Sequence, residues 1–185
     1  MNTINFKKLL LLFVFSFTLL DLFGQHISFL GIPMGQSESV FDKKLRQKGF
    51  VYKGINNVFE TRMYDGTFWN YRNTRINVEY ENGKATSVNV GPNEKIYNSI
   101  SEFNKLVSSL DKKYGKHHPK ENLFTHFLFY LGTGYYWKVT GGYIVASRIS
   151  TDDPSKIMIM IYYLDNTSHY VIYELGQRRN TSNDL

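Results

Sequence analysis

Residues 29–50, with the sequence FLGIPMGQSESVFDKKLRQKGF, predict a short strand, a turn and a helix around which the rest of the chain must be arranged. Ser37 is placed to cap the helix, because its hydroxyl can accept a hydrogen bond from a free amide of the first turn. Phe41 and Leu45 are four residues apart and therefore share one face. Gly49 suits the left-handed conformation that often ends a helix. A single short helix is not stable alone, so we expect its apolar face to lie on a sheet.

The composition indicates a folded domain with a substantial apolar core. The 185 residues suit one domain, or two small repeats that share a core, and 42% of them are hydrophobic. The formal net charge is +6, but the basic residues are scattered, so we expect no nucleic-acid partner. The chain has no cysteine, which excludes disulfides, thiolate metal sites and thiol catalysis. Its stability must therefore come from the core alone.

The first 24 residues have the features of a signal peptide. Two lysines precede the apolar run Leu9–Leu20, and Gly24 supplies a small residue before a cleavage point. The run is short for a membrane span and Asp21 follows it, so we favour a cleaved signal peptide. An uncleaved membrane anchor is the alternative. We expect the mature chain to begin at Gln25, to be periplasmic or secreted, and to have no stable membrane insertion.

A hairpin is predicted at Asp65-Gly66, a pair of residues that favours a two-residue turn between strands. Its flanking strands are Val58–Tyr64 and Thr67–Tyr71. The turn would place one set of side chains on the core face, namely Phe59, Met63 and Phe68. It would place another set on the opposite face, namely Glu60, Arg62, Tyr64, Trp69 and Tyr71.

A second hairpin is predicted around Asn82-Gly83. A two-residue loop would set apolar residues of one strand against polar residues of the other. A three-residue loop that begins at Glu81 instead pairs Val78 with Thr86 and Ile76 with Val88. The side-chain pattern therefore favours the three-residue loop.

A second helix is predicted by apolar residues at alternating spacings of four and three. These residues are Ile96, Ile100, Phe103, Val107, Leu110 and Tyr114. Asn93 could cap this helix, but Ser99 and Glu102 match a capping box, which would make the helix begin later. Gly115 is expected to end this helix as Gly49 ends the first.

The remaining residues predict more strands and an ambiguous C-terminal segment. The strands are Leu123–Leu131, Tyr135–Thr140, Tyr143–Ser150 and Ile157–Tyr163. The last of them is apolar on both faces, which indicates a central strand. Residues His169–Leu175 fit either a last strand or a helix, and the polar residues 177–185 predict a disordered tail.

Together these elements predict one α+β domain, residues 25–176, made of two helix-plus-antiparallel-meander units at about 25–91 and 92–176. The helices are expected on one face of the sheet. This element order in an exported chain resembles the β-lactamase-inhibitor-like fold and, less closely, small outer-membrane assembly lipoproteins. The opening stretch FLGIPMGQSESVFDKKLRQKGF is also similar to that of uncharacterised small exported proteins of Gram-negative bacteria. The disulfides of the inhibitors and the lipidated cysteine of the lipoproteins are missing, so no functional residue is carried over.

The usual catalytic motifs are absent: the sequence has no Gly-x-Ser-x-Gly, no His-Glu-x-x-His and no phosphate-binding loop. His117, His118 and His126 offer metal ligands, although histidines after a helix also suit a solvated linker. Glu79 and Glu81 alternate onto one strand face like a catalytic carboxylate pair, although a solvated hairpin end explains them better. We therefore predict no catalytic residue, no metal and no cofactor.

Outward aromatic residues instead suggest a binding face. The predicted binding residues are Arg62, Tyr64, Trp69 and Tyr71 of the first unit, with Tyr136 and Lys138 of the second. Cross-strand packing that stiffens the sheet is the alternative explanation of this set. We predict a non-enzymatic exported binding module whose open sheet face contacts a protein or an envelope component. A glycan-binding protein or weak hydrolase, and a structural domain without a dedicated ligand, are the alternatives, and the oligomeric state is left open.

Overall fold

A computed structural model describes residues 27–69, 71–92, 98–120, 132–153 and 155–182. The helices in these ranges are α1 (Glu38–Gln47), α2 (Ile100–Tyr114) and α3 (His169–Ser182). The strands are β1 (Ser28–Phe29), β2 (Ile32–Pro33), β3 (Val51–Asn56), β4 (Thr61–Phe68), β5 (Tyr71–Glu81), β6 (Lys84–Pro92), β7 (His118–Pro119), β8 (Thr133–Val139), β9 (Gly142–Ser150) and β10 (Ile157–Asp165). Helices beside a large antiparallel sheet confirm the predicted α+β class. Within the described residues no helix is both long and apolar enough to cross a membrane.

One sheet of eight strands organises the fold, in the order β3-β4-β5-β6-β10-β9-β8-β7, and its neighbouring strands are antiparallel. β1 and β2 form a separate two-stranded ribbon. β10 lies between β6 and β9, so the predicted central strand is confirmed. The strand predicted at Leu123–Leu131 lies outside the described residues.

Helices α1 and α2 cover one face of this sheet, which we call the first face. The two helices contribute six buried side chains: Phe41, Leu45, Phe103, Leu106, Val107 and Leu110. These side chains share one core cluster with sheet residues that include Tyr64, Trp137 and Ile161. Burial of each large apolar side chain contributes about 1.5–3 kcal/mol, so this cluster is the main source of stability. Ile100 departs from the predicted stripe: as the first residue of α2 it is 45% exposed.

Helix α3 lies on the opposite face of the sheet, which we call the second face. Val171 of α3 is buried in a second cluster with Val145, Tyr162 and Leu164 of β9 and β10. The expectation that the helices share one face is therefore wrong for α3. β9 and β10 are apolar on both faces, so the second face needs a cover at these strands. Residues His169–Leu175, which the sequence allows as either a strand or a helix, belong to α3. This helix continues to Ser182, within the segment that was predicted as a disordered tail.

The start of α1 is fixed by backbone contacts with the β5–β6 hairpin. The predicted cap bond from the Ser37 hydroxyl is not formed, so this detail is wrong. Instead the Glu38 amide donates to the Gly83 carbonyl at 3.0 Å. The amide of Ala85 donates to the Gln36 carbonyl at 2.9 Å. The hairpin thus accepts a hydrogen bond from the first amide of the helix and also holds the residue before the cap.

The end of α1 has the predicted geometry. Gly49 has a φ of 87°, in the left-handed region. Its amide donates to the Arg46 carbonyl at 2.9 Å, and the Phe50 amide donates to the Leu45 carbonyl at 3.2 Å. These two bonds are those of a Schellman ending, which confirms the helix end predicted from the glycine.

Helix α2 begins at the later of its two predicted starts. The Ser99 amide donates to Glu102 Oε2 at 2.7 Å, and the Glu102 amide donates to the Ser99 hydroxyl at 3.2 Å. This reciprocal pair is a capping box, as the sequence predicts. Asn93, the other candidate cap, lies outside the described residues. Gly115 ends α2 with a φ of 88°.

The hairpin predicted at Asp65-Gly66 is wrong, because β4 runs through these residues and turns only after Phe68. Asp65 instead forms an ion pair with Arg75 of β5, with Nε 2.9 Å from Oδ1. A side chain on Gly66 would collide with the Phe50 ring, since an added Cβ would lie 2.6 Å from that ring. Gly66 is therefore required for a close approach and not for a turn.

The β5–β6 hairpin has a two-residue loop, so the three-residue loop is also wrong. Asn82 and Gly83 both have positive φ, 51° and 71°, as a type I′ turn requires. An irregularity after Glu79 shifts the register, so that Val78 faces Val88. Apolar side chains therefore face each other across the two strands, as expected from the sequence. The register that allows this comes from a bulge within the strands and not from a longer loop.

Replacement of Gly49 by alanine should lower the free energy of unfolding by about 1 kcal/mol, because alanine must then adopt a left-handed conformation. Lys48→Ala is the matched control and should be nearly neutral, since Lys48 is exposed. Leu45→Ala should cost more, about 2–5 kcal/mol, because it leaves a cavity beneath α1. Urea unfolding of the three variants would rank them. Equal stability of Gly49→Ala and Lys48→Ala would contradict the role given to the glycine.

Candidate functional site

The six predicted binding residues do not form one surface. Two lie on the first face, two at the β4–β5 turn and two on the second face of β8, namely Arg62 and Tyr64, Trp69 and Tyr71, and Tyr136 and Lys138. The misplaced hairpin explains the error. Because β4 continues through Gly66, Tyr64 and Phe68 are four residues apart on one strand and share its buried face.

Arg62 and Tyr64 anchor α1 to the sheet. Tyr64 is fully buried, and its hydroxyl donates to Asp42 Oδ1 at 2.9 Å, while Arg46 Nε donates to Asp42 Oδ2 at 2.8 Å. Arg62 forms an ion pair with Glu38 at the start of the helix. Burial raises the pKa of the Tyr64 phenol, so this hydroxyl stays a donor. Burial also acts to raise the pKa of Asp42, but the hydrogen bonds from Arg46 and Tyr64 outweigh it and the net shift is downward.

Trp69 and Tyr71 form an aromatic pair at the β4–β5 turn. Their rings are edge to face, with centroids 5.8 Å apart. Trp69 has a φ of 55°, an uncommon conformation for a bulky residue, and it is 38% exposed. The turn thus presents one indole ring to solvent beside a half-buried phenol, an arrangement that can stack on a flat ligand.

Tyr136 and Lys138 lie on β8, near the far edge of the sheet. The Tyr136 ring stacks on His118 of β7, with centroids 5.2 Å apart, and lies 6.2 Å from the Tyr143 ring. Tyr136 therefore packs at the border of the second cluster, while Lys138 is exposed. This part of the predicted face is a packed border and not an open aromatic surface.

Asp111, at the end of α2, joins the helix to β8 and to the segment after it. Its Oδ1 accepts hydrogen bonds from Trp137 Nε1 at 3.0 Å and from the His117 amide at 3.1 Å, and His117 Nδ1 also lies 3.0 Å away. Burial acts to raise the pKa of Asp111, but the bonds from His117 and Trp137 outweigh it, so the pKa is lowered. None of these contacts involves a nucleophile. We therefore assign Asp111 a structural role, which is to connect the end of α2 with β8.

The two adjacent histidines do not converge on one site. The His117 ring packs on Tyr135 and Trp137, towards the first face, with centroid distances of 4.2 and 5.9 Å. His118 stacks on Tyr136, which points to the other face. His126, the third histidine of the metal hypothesis, lies outside the described residues.

Glu79, Glu81 and His169 are the described residues that come closest to a metal-binding set, with donor atoms within 4.8 Å of one another. His169 Nδ1 lies 3.1 Å from Glu79 Oε1 and 3.3 Å from Glu81 Oε1, and the His169 amide donates to Glu81 at 2.9 Å. The Thr86 hydroxyl also bonds Glu81 Oε1, at 3.1 Å. Glu79 Oε2 is buried without a hydrogen-bond partner among the described residues, but the other contacts join β5 to the first residue of α3, so we assign the group as an anchor for the start of α3. Sequence reasoning considered the two glutamates but had no means of linking them to His169.

Four exposed apolar side chains lie on β3 and the turn after it. They are Val51, Ile55, Val58 and Phe59, which are 56%, 53%, 81% and 67% exposed. β3 is an end strand of the sheet, so within the described residues its outer edge has no neighbouring strand. Edge strands are normally protected, and here Lys53 and an irregularity before Gly54 are the only such features of β3. Phe59 was predicted to be in the core, an error that follows from the misplaced hairpin.

Comparison with known proteins finds no family model, no curated protein and no solved structure that matches this chain. The surfaces described above must therefore be interpreted from their own chemistry.

Replacement of Asp111 by alanine should lower the free energy of unfolding by about 1–3 kcal/mol, because it leaves the indole N–H of the fully buried Trp137 without its acceptor. Since the pKa of Asp111 is lowered by folding, this contribution should be present at neutral pH and lost as the pH falls below about 4. Denaturant unfolding followed by tryptophan fluorescence at several pH values measures both effects. Lys112→Ala, at the neighbouring exposed position, is the control. An equal loss in both variants would contradict the assigned contacts.

Proposed function

We propose that this chain is a non-enzymatic exported binding module whose β3 edge takes up an extended segment of a partner protein. The exposure of four apolar side chains on β3 and its turn carries this proposal. Val58 and Phe59 are consecutive in the chain and strongly exposed, and contiguous exposed apolar surface commonly marks an interaction site. The expected partner is thus a protein. A nucleic acid would require a run of basic residues, and this edge has one lysine, Lys53.

The chemistry of a free strand edge supports the mode of binding. The outward amide and carbonyl groups of β3 can pair with a further strand, which gives affinity independent of sequence. Val51 and Ile55 would add apolar contacts, and Val58 and Phe59 would extend them along the turn. The neighbouring strand β4 is held in place, because its Tyr64 side chain is buried and hydrogen-bonded to Asp42 of α1. A rigid edge limits the entropy lost on binding.

A partner protein fits this edge better than a second copy of the chain. Antiparallel pairing of two β3 strands about their middle would bring the two Lys53 side chains together. Like charges placed directly opposite one another destabilise a strand pair. An acidic or neutral extended segment would meet no such repulsion.

A glycan-binding role is the second candidate, supported by the Trp69–Tyr71 pair at the β4–β5 turn. An exposed indole can stack on the flat face of a sugar ring, and the uncommon backbone of Trp69 holds it outwards.

A hydrolase has less support. Glu79 and Glu81 do approach each other, but His169 lies between them.

We also propose that the fold is a duplication of two helix-plus-meander units, as in the β-lactamase-inhibitor-like fold. The strand order supports this: α1 is followed by β3 to β6 and α2 by β7 to β10, and the last strand of each set meets the other in the centre. β6 and β10 are antiparallel, as an approximate two-fold axis between the halves would require.

Phe59→Asp and Ile55→Asp should each reduce capture of the partner by about tenfold, because each puts a charge into the apolar contact. The measurement is chemical cross-linking in a native envelope extract, with the linked residues identified by mass spectrometry. Links should involve Lys53 on β3. Ile172→Asp is the matched control, since Ile172 is also exposed, at 58%, but lies on α3. Links confined to other surfaces, or to a second copy of the chain, would count against the proposal.

The mature protein should begin at Gln25 and be recovered outside the cytoplasm, because residues 1–24 have the charge and hydropathy of a signal peptide. N-terminal mass analysis of the native protein checks this. Lys7→Glu combined with Lys8→Glu should slow export, while Lys53→Glu, at an exposed strand position, should not. An intact Met1 on protein from the membrane fraction would disprove the cleavage.

A further inference from the structure

We propose that a small cavity beside the Trp69–Tyr71 pair holds the acetyl group of an N-acetylated amino sugar, while the sugar ring stacks on the exposed indole. This site rests on the glycan-binding role, the second candidate function above, and it defines the class of sugar. It is independent of the β3 edge. The size of the cavity, its position and its one unpartnered amide carry the inference.

The cavity lies on the first face, between α2 and the end of the sheet at which β4 turns into β5. Its walls are apolar side chains of the first-face cluster, namely Phe68, Val90, Leu106, Ile159 and Ile161. Its volume is about 30 Å³. A cavity of about 10–15 Å³ already admits one water molecule, so this one admits a methyl or acetyl group and is too small for a sugar ring.

The cavity opens beside the aromatic pair. The half-buried Tyr71 and the exposed Asn73 line it. The Trp69 ring lies against the Tyr71 ring, with centroids 5.8 Å apart, and Trp69 is 38% exposed. A sugar that stacks on this indole would therefore lie next to the opening and could extend a substituent into it.

Asn98, the residue before the cap of α2, supplies the polar contact that an acetamido group requires. It lines the cavity, is only 7% exposed, and its side-chain amide forms no hydrogen bond with another described residue. Buried polar side chains are normally hydrogen-bonded, so this amide gains a bond when a ligand provides one. The side chain offers a carbonyl acceptor and two N–H donors, which match the N–H and the carbonyl of an acetamido group.

The polar residues of the cavity are held in place by the fold. The Asn98 backbone amide donates to the Ile157 carbonyl at 2.7 Å, and the Ile157 amide donates to the Asn98 carbonyl at 2.8 Å. The Thr74 hydroxyl, which also lines the cavity, donates to the Tyr71 carbonyl at 3.0 Å. Groups that are fixed in this way lose little entropy when a ligand binds.

The charge near the cavity favours a neutral ligand. Burial raises the pKa of the Tyr71 phenol, and the nearby Glu102 carboxylate adds to the shift, so the phenol is neutral at physiological pH. The same carboxylate would repel an anionic ligand. A free ammonium group, as in an amino sugar without its acetyl group, would lose its hydration in the apolar cavity. An acetamido group avoids both costs.

Titration of the full chain with N,N′-diacetylchitobiose and with cellobiose tests the proposal, because the two disaccharides share their linkage and differ in their acetamido groups. Binding can be followed by ¹H–¹⁵N NMR. Diacetylchitobiose should shift the resonances of the Asn98 side-chain amide and the Trp69 indole, but not that of the fully buried Trp137 indole. Its Kd should be about tenfold lower than that of cellobiose, because it adds a buried methyl group and hydrogen bonds.

Two variants change the cavity in different ways. Asn98→Leu keeps a similar side-chain volume and removes the amide, while Val90→Ile adds a methyl group to the wall. Each should remove the preference for the acetylated disaccharide, whereas Trp69→Ala should weaken the binding of both sugars. Asn104→Leu is the matched control for Asn98→Leu, because Asn104 is exposed on α2, and it should keep the preference. Urea unfolding shows whether each variant is folded.

The outcomes separate the acetyl site from the glycan-binding role. Equal affinity for the two disaccharides would overturn the acetyl site and leave the glycan-binding role standing. Binding of neither would overturn both. A preference that persists in Asn98→Leu and in Val90→Ile would overturn the assignment of the cavity.

Discussion

Burial of β10 on both of its faces is the constraint on which the rest of the structure depends. Its odd-numbered residues from Ile157 to Tyr163 enter the first cluster, and Tyr162 and Leu164 enter the second. A strand of this kind cannot lie at an edge or face water, so the sheet must extend on both sides of it and be covered above and below. α1 and α2 supply one cover and α3 the other. The central position of β10 also places it beside β6, which leaves β3 and β7 at the ends of the sheet.

Features that depend on neighbouring residues could be predicted from the sequence. The end of α1 at Gly49 and the capping box of Ser99 with Glu102 involve atoms only a few residues apart, and both are present. Asp65-Gly66 shows where such reasoning fails. The pair resembles a turn, but Gly66 is needed because the Phe50 ring, distant in sequence, lies against it. A glycine that makes room and a glycine that turns the chain look the same in a sequence.

The candidate site was less predictable, because side-chain direction along a strand alternates and one misplaced turn reverses every assignment after it. The predicted hairpin places Tyr64 outwards and Phe59 in the core, whereas Tyr64 is buried and Phe59 is 67% exposed. The anchor of α3 presents a different difficulty. His169 and Glu81 are 88 residues apart, and only the hairpin of β5 and β6 beside the end of β10 brings them together. No local pattern contains that information.

The position of the β3 edge separates it from the rest of the core. β3 is an end strand, separated from β10 by β4, β5 and β6, while α3 covers β9 and β10 on the second face. A segment that paired with β3 would extend the sheet outwards from this end. The first-face cluster beneath α1 and α2 would therefore not have to be opened for such a segment to bind.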